Sequence, residues 1–276
     1  MMITAHPGHT LMPKFILTII DGCRPDGLAQ ANTPHIDSIW QHGAYSWQAQ
    51  SVMPSISLPC HTSMFRSVPP QVHGITDNLY MPSAAQFPSI LEVAAEADLR
   101  NMFFASWEEL RDLAAPGSLE VGYYRHYRYG RDNDSLTMNI AIPHIVDEQP
   151  DFAVIYLGDV DMTGHSHGWM SPEYIAQIES NDRNIGDLLR ALDEHNLRDQ
   201  YTLMVISDHG GHEHMHGTNE PEDMTIIWML NGPGIKPGYE VAAPITLLDT
   251  APTIAHALGL TRPDKWQGQP ITDAFR

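Results

Sequence analysis

Three apolar runs of strand length, each closed by a carboxylate, constrain this chain more than any other feature. Phe15–Ile20 runs into Asp21-Gly22, Phe152–Leu157 into Asp159 and Asp161, and Tyr201–Ile206 into Ser207-Asp208. A run that is apolar almost throughout, not at alternate positions, is buried on both faces, as central strands of parallel sheets are. Open α/β sheets bind ligands outside the carboxyl ends of such strands. Helical patterns lie between the runs. Thr33-Pro34 reads as a cap and first helical residue, followed by an apolar stripe of Ile36, Ile39 and Trp40. Ser89–Ala97, Ser135–Glu148 (Leu136, Ile140, Ile145, Val146 inward) and Ser171-Pro172 through about His195 follow. Pro244–Leu260 holds a last helix closed by Gly259. Ala44–Met53, Asn101–Ala105 and Met224–Leu230 read as further strands. Strand and helix alternate, which predicts an α/β fold with a mostly parallel central sheet flanked by helices on both faces. No linker interrupts the 276 residues, so 1–276 is expected to form a single domain.

Composition excludes several classes. Charged residues are 18% and apolar residues 42%, which argues against disorder and coiled coil. The net charge of −19 leaves no basic surface for docking nucleic acid. Bound dications would change the sign locally. Cys23 and Cys60 form no CxxC pair, so a thiolate metal site or disulfide framework is not expected. No apolar run reaches membrane-spanning length, and no membrane partner is expected. The first dozen residues lack a basic start and apolar core, which predicts no secretory signal and a cytoplasmic location.

The chemistry concentrates after the third run, in Ser207-Asp208-His209-Gly210-Gly211-His212-Glu213-His214-Met215-His216-Gly217. This is either a solvated His-rich loop or a metal loop. Its place at a strand end, with two other acidic strand ends in the chain, points to metal. Asp161 and His165 are four apart, on one side of a helical turn. Ser57 precedes a helical pattern over Leu58–Phe65. It either caps that helix or presents its hydroxyl where phosphate binds. His73–Asn78 reads as a loop. Pro116–Asp134, rich in Tyr and Arg, reads as a packed surface loop in preference to a substrate lid or an interface.

Taken together, these residues resemble the alkaline phosphatase superfamily, in particular its nucleotide pyrophosphatase/phosphodiesterase branch. Ile19-Ile20-Asp21-Gly22, Thr33-Pro34-His35-Ile36-Asp37, Ser57-Leu58-Pro59 with Asn78 after it, Asp161-Met162-Thr163-Gly164-His165, Ser207-Asp208-His209-Gly210 and His216-Gly217 stand in the family's order. The resemblance implies an alkaline-phosphatase-like fold with little or no cap, and two divalent metal ions. Zinc is the family's usual metal, and manganese suits the same donors. It implies Asp21, Asp208, His209 and Ser57 around one ion and Asp161, His165 and His216 around the other. Ser57 would be the nucleophile, through a phosphoseryl intermediate, and Asn78 with nearby backbone N–H groups would steady phosphoryl oxygens. The implied substrate is a small phosphate ester or nucleotide, cleaved as a phosphodiester or pyrophosphate.

Alternatives stay open at this stage. A phosphomonoesterase would need a cation for the extra charge, from Arg24, Arg66, Arg125 or Arg128. A non-catalytic metal-binding interaction protein would use the Tyr-Arg stretch. Ser55 is a second hydroxyl near Ser57, His212 and His214 compete with His216, and Cys60 stands where many relatives have Asn. Cys60-His61-Thr62-Ser63-Met64 does not fit the sulfatase pattern.

Overall fold

The computed structural model describes residues 14–276; the first dozen, where no secretory signal is read, lie outside them. The strands are β1 (Lys14–Ile20), β2 (Ala44–Gln50), β3 (Asn101–Ala105), β4 (Val121–Tyr124), β5 (Phe152–Leu157), β6 (Tyr201–Ile206), β7 (Thr225–Asn231) and β8 (Tyr239–Glu240). The α-helices are α1 (Pro25–Gln30), α2 (Pro34–Gln41), α3 (Ser57–Arg66), α4 (Pro70–His73), α5 (Ile90–Glu96), α6 (Asn133–Glu148), α7 (Asp159–His167), α8 (Pro172–Glu194), α9 (Pro221–Met224) and α10 (Thr250–Ala257).

The strands form one sheet in the order β4-β3-β5-β1-β6-β7-β2-β8. β7 alone runs against its neighbours β6 and β2. The three runs that end in carboxylates are adjacent: β1 pairs in parallel with β5 on one side and β6 on the other. Ile20 lies opposite Leu157 and Ile19 opposite Ile206, so the three chains leave the sheet at one level. Helices cover both faces. Leu58, Phe65, Ile90, Leu91 and Ile254 pack α3, α5 and α10 on one side. Ile36, Ile39, Met138, Ile145, Ile178 and Leu188 pack α2, α6 and α8 on the other. Burying each such side chain contributes about 1.5–3 kcal/mol, so the sheet is a rigid platform for what leaves its edge.

Local expectations change in five places. Thr33 precedes α2, but its hydroxyl donates to Asp37 Oδ1 at 3.2 Å instead of capping. Asp182 of α8 takes the orphan N–H groups of His35 and Ile36 at 3.0 and 2.8 Å. Ser57 is the first residue of α3, not its cap, so its hydroxyl is released from the helix end. His73, read as loop, ends the short α4. Leu136 and Ile140 of α6 are exposed, and Met138, Ala141 and Ile145 form its buried stripe. The Tyr-Arg stretch contains β4, which extends the sheet edge beside β3. Among the described residues, no helix is long and apolar enough to cross a membrane.

Candidate active site

Gly22 sets the first distance in the site. It turns with φ +68°, and a Cβ there would lie 2.9 Å from the Asp161 Cα. Only glycine lets the end of β1 approach the start of α7 so closely. Its N–H donates to Asp208 Oδ1 at 3.1 Å, tying the end of β1 to the end of β6. Its carbonyl accepts from Tyr174 Oη at 2.8 Å and from the Trp169 indole at 3.0 Å. Gly210 does the same for the His-rich loop. A Cβ there would meet the Glu222 carbonyl at 2.0 Å, because this segment lies flat against the 220–223 turn.

Asp21, Asp208 and His209 converge, all buried, with ligand atoms within 4.8 Å of one another. His209 Nε2 lies 3.4 Å from Asp21 Oδ1, 3.3 Å from Asp208 Oδ2 and 3.1 Å from Ser57 Oγ. A second cluster adjoins it. His165 Nε2 is 3.5 Å from Asp161 Oδ2, His216 Nε2 is 3.5 Å from Asp161 Oδ1, and the two Nε2 atoms are 3.1 Å apart. The clusters share an edge, since His209 stacks on His216 with centroids 3.9 Å apart and also groups with Asp161.

The protons of these imidazoles are fixed by the backbone. Nδ1 of His209, His165 and His216 meets the carbonyls of Gly210, His214 and Ser55 at 2.8, 2.9 and 2.7 Å. A carbonyl only accepts, so each Nδ1 carries the proton and each Nε2 presents a lone pair to the site. His165 and His216 therefore aim two lone pairs at each other, an arrangement that a shared cation resolves. The carboxylates carry the same signature. Asp21 Oδ1, Asp161 Oδ1 and Asp208 Oδ2 are buried without a hydrogen-bond donor. Burial, then the charge of Asp208, pushes Asp21 well above the ordinary carboxylate range; burial, then Asp161, does the same to Asp208. Burial also raises Asp161, opposed by His216 and His165. Burial and the neighbouring His216 hold His209 well below the usual imidazole value. Three buried acids with bare oxygens and three oriented Nε2 lone pairs fit two divalent cations.

Three further residues, not anticipated from sequence, shape the site. Tyr156 Oη donates to Asp21 Oδ2 at 2.5 Å, leaving Oδ1 as the free oxygen. A Tyr, with its polar tip, next to the end of an otherwise wholly non-polar strand was the available signal. His61, fully buried, places Nδ1 2.6 Å from the Ser57 carbonyl and 3.4 Å from Asp208 Oδ2. Asp134 takes the N–H groups of Gly158 and Asp159 at 2.8 and 3.0 Å, while Asp159 takes the Asp134 N–H at 3.0 Å. Each acid thus caps the other's helix, which fixes the first turn of α7 and with it Asp161. No sequence signal relates the two.

The other candidates sort themselves by partner. His212 turns away to Asp223 Oδ1 at 2.7 Å, and His214 is exposed on the His165 carbonyl. The Ser55 hydroxyl is spent on the Thr218 carbonyl at 2.7 Å. Cys60 is buried, with Sγ 3.3 Å from the Ser51 hydroxyl. Asn78 Oδ1 accepts the Leu58 N–H at 3.0 Å, which pins Asn78 to the start of α3. A cavity of about 560 Å³ opens over Ser57, Asn78, Asp161, His165 and His216. Its far wall carries Trp107, Tyr127 and Tyr129, so the stretch read as a packed surface loop in fact lines the site. No Lys or Arg lines it among the described residues. Arg24 is held by Asp26, and Arg66 is buried against Glu92.

The family model for type I phosphodiesterase / nucleotide pyrophosphatase matches residues 15–92 and 92–225. The chain belongs to this family. Mouse ectonucleotide pyrophosphatase/phosphodiesterase family member 3 is 28% identical over 225 residues, 74% of this chain and 25% of the relative. Human family member 7 is 22% identical, over 71% of this chain and 47% of its own length. A venom phosphodiesterase of Macrovipera lebetinus is 26% identical over 71% of this chain and 25% of that protein. The chain thus spans about a quarter to a half of the length of these relatives. Murine ectonucleotide pyrophosphatase/phosphodiesterase 5, solved in an inactive form with AMP, superposes with a TM-score of 0.80 at 17% identity, over 96% of this chain and 100% of that one. A 2-O GAG sulfatase superposes at 0.78 with 15% identity, over 96% of this chain and 74% of that one. At these identities the likeness is one of fold, and the fold is alkaline-phosphatase-like. The relatives are ectoenzymes and venom enzymes by name, which overturns the expectation of a cytoplasmic location.

Proposed function

We propose that this protein is a two-metal phosphoric ester hydrolase with Ser57 as nucleophile, acting on phosphodiester or nucleotide pyrophosphate bonds. One observation carries the reading: Asp21, Asp161 and Asp208 bring bare, buried oxygens together beside a hydroxyl at a helix N-terminus. Asp21, Asp208, His209 and Ser57 hold one ion; Asp161, His165 and His216 hold the other. Zinc suits this N/O donor set, and manganese is the alternative. Ions held there would make the attacking hydroxyl and water more acidic and would offset charge on the phosphoryl group.

The chain's own groups do the rest. Ser57 Oγ attacks phosphorus opposite the leaving alcohol or phosphate, and water then hydrolyses the phosphoseryl intermediate. Asn78, anchored through Oδ1 on Leu58, keeps its amide N–H groups for a phosphoryl oxygen. The Leu58 N–H is committed to Asn78, so the amide of that side chain takes the place of this backbone donor at the oxygen. Residues 14–276 act as one catalytic unit around the sheet. Nucleotide esters are the substrate class, supported by the family and by the AMP held in the related solved structure. A monoester carries a second charge, and the absence of Lys and Arg from the cavity lining among the described residues disfavours it.

The test is hydrolysis of bis-aryl and mono-aryl phosphates by one preparation, metal-stripped and then reloaded with zinc or manganese. Metal-restored diester cleavage is expected, and Ser57→Ala should lower it roughly a thousandfold or more. Monoester preference would move the enzyme to the phosphatases. No hydrolysis of any ester by a protein that binds two ions would favour a metal-binding interaction protein.

A further inference from the structure

We propose that Glu109 reads the base of the nucleotide substrate and selects guanine. The inference rests on the phosphodiesterase reading above and adds the base to it. The cavity that starts at Ser57 and Asn78 is large enough for a nucleoside monophosphate, at about 560 Å³. Trp107 stands against Tyr156, with centroids 6.2 Å apart, and Tyr127 meets Tyr129 edge to face at 5.6 Å. Such faces stack on any base and distinguish poorly among them. Glu109 lines the same cavity and differs from its surroundings. Its neighbour Glu108 holds His126 at 3.3 Å, whereas Glu109 Oε2 is buried with no hydrogen-bond partner.

An ionised carboxylate accepts hydrogen bonds and donates none, so it recognises an edge with adjacent donors. Guanine offers N1–H and an N2 amino hydrogen side by side, which one carboxylate takes as a pair. Adenine sets the acceptor N1 beside its N6 amino group, and uracil flanks N3–H with two carbonyl oxygens. Both bring an acceptor against the carboxylate. A site built to accept two donors rejects a partner that sets an acceptor against the carboxylate.

The experiment compares kcat/KM for the 4-nitrophenyl 5′-monophosphate esters of guanosine, inosine and adenosine, with bis-aryl phosphate alongside. Guanosine should exceed adenosine by about tenfold to a hundredfold, with inosine, which keeps N1–H and lacks the amino group, between them. Glu109→Gln should bring the guanosine-to-adenosine ratio close to one. Calorimetry should show GMP binding more tightly than AMP by a similar factor. A ratio within about twofold in the unmodified enzyme, or a preference for adenosine, overturns the role of Glu109 while bis-aryl cleavage leaves the phosphodiesterase reading standing. Failure to hydrolyse any of the four esters overturns both.

Discussion

Replacing Asp134 by Ala removes the acceptor on which the start of α7 is built. The carboxylate is fully buried and takes hydrogen bonds from Gly158 N–H, Asp159 N–H, the Ser106 hydroxyl and the Asn181 amide. Two of these donors have somewhere else to go: Gly158 N–H also reaches Ser106 Oγ at 3.0 Å, and Ser106 Oγ also reaches the Tyr156 carbonyl at 3.4 Å. The Asp159 N–H and the Asn181 amide are left to face the void. Each buried unmet donor costs about 1–3 kcal/mol. Against this, burial and the charge of Asp159 already push Asp134 well above the ordinary carboxylate range, so its loss relieves some desolvation and repulsion. The expected net loss is about 3 kcal/mol, or roughly 6 °C in Tm for a chain of this size. Asp161 lies two residues beyond Asp159, so retention of one of two zinc ions should weaken by about tenfold to a hundredfold. The assays are thermal melting of the metal-free protein and competition for zinc against a chelator. Asp134→Asn keeps one oxygen and sets an amide against the other donors, and should fall between. A Tm within about 1 °C of the unmodified protein, with both ions held at full affinity, would refute the reciprocal capping of α6 and α7.

Tyr156→Phe strips Asp21 Oδ2 of its 2.5 Å donor and should weaken zinc at the Asp21–Asp208 cluster about tenfold to a hundredfold with the fold intact; unchanged chelator competition would count against it. Gly210→Ala should cost about 2–3 kcal/mol in urea unfolding, because its Cβ meets backbone and not a movable side chain; a neutral result would mean that the 220–223 turn yields. His73 is buried, with Nδ1 accepting the Ile75 N–H at 3.1 Å, and burial lowers its pKa to about 4. The unfolded chain then binds the extra proton between the ordinary value near 6.5 and about 4, so stability is full above that window and falls as pH drops through it. The loss should be on the order of 3 kcal/mol, seen as the pH-dependent difference in urea stability between the unmodified protein and His73→Gln. Parallel curves for the two would remove His73 from the account.

The sequence by itself determined the sheet's centre and the acidic strand ends. Runs as apolar as Phe15–Ile20, Phe152–Leu157 and Tyr201–Ile206 have no stable place except between two layers of helices, and all three are strands with those ends or one residue more. Asp21, Asp161 and Asp208 follow those ends, so their convergence needed only that the strands be neighbours. Tertiary structure decided what local pattern cannot express. Ser57 had the look of a cap, yet it became the first residue of α3 because Ile56 took the cap position. Thr33 had the same look, and a carboxylate some 150 residues away in sequence took its task through the packing of α8 on α2. That His216 turns to Asp161 while His212 and His214 turn elsewhere follows from the carbonyls and the carboxylate that the fold brings to each ring. The aromatic wall with Glu109, the Tyr156–Asp21 contact and the paired caps of Asp134 and Asp159 join segments far apart along the chain. Periodicity and capping rules act over one or two turns. Buried polar groups must find partners wherever packing supplies them, so only the assembled sheet and helices specify those contacts.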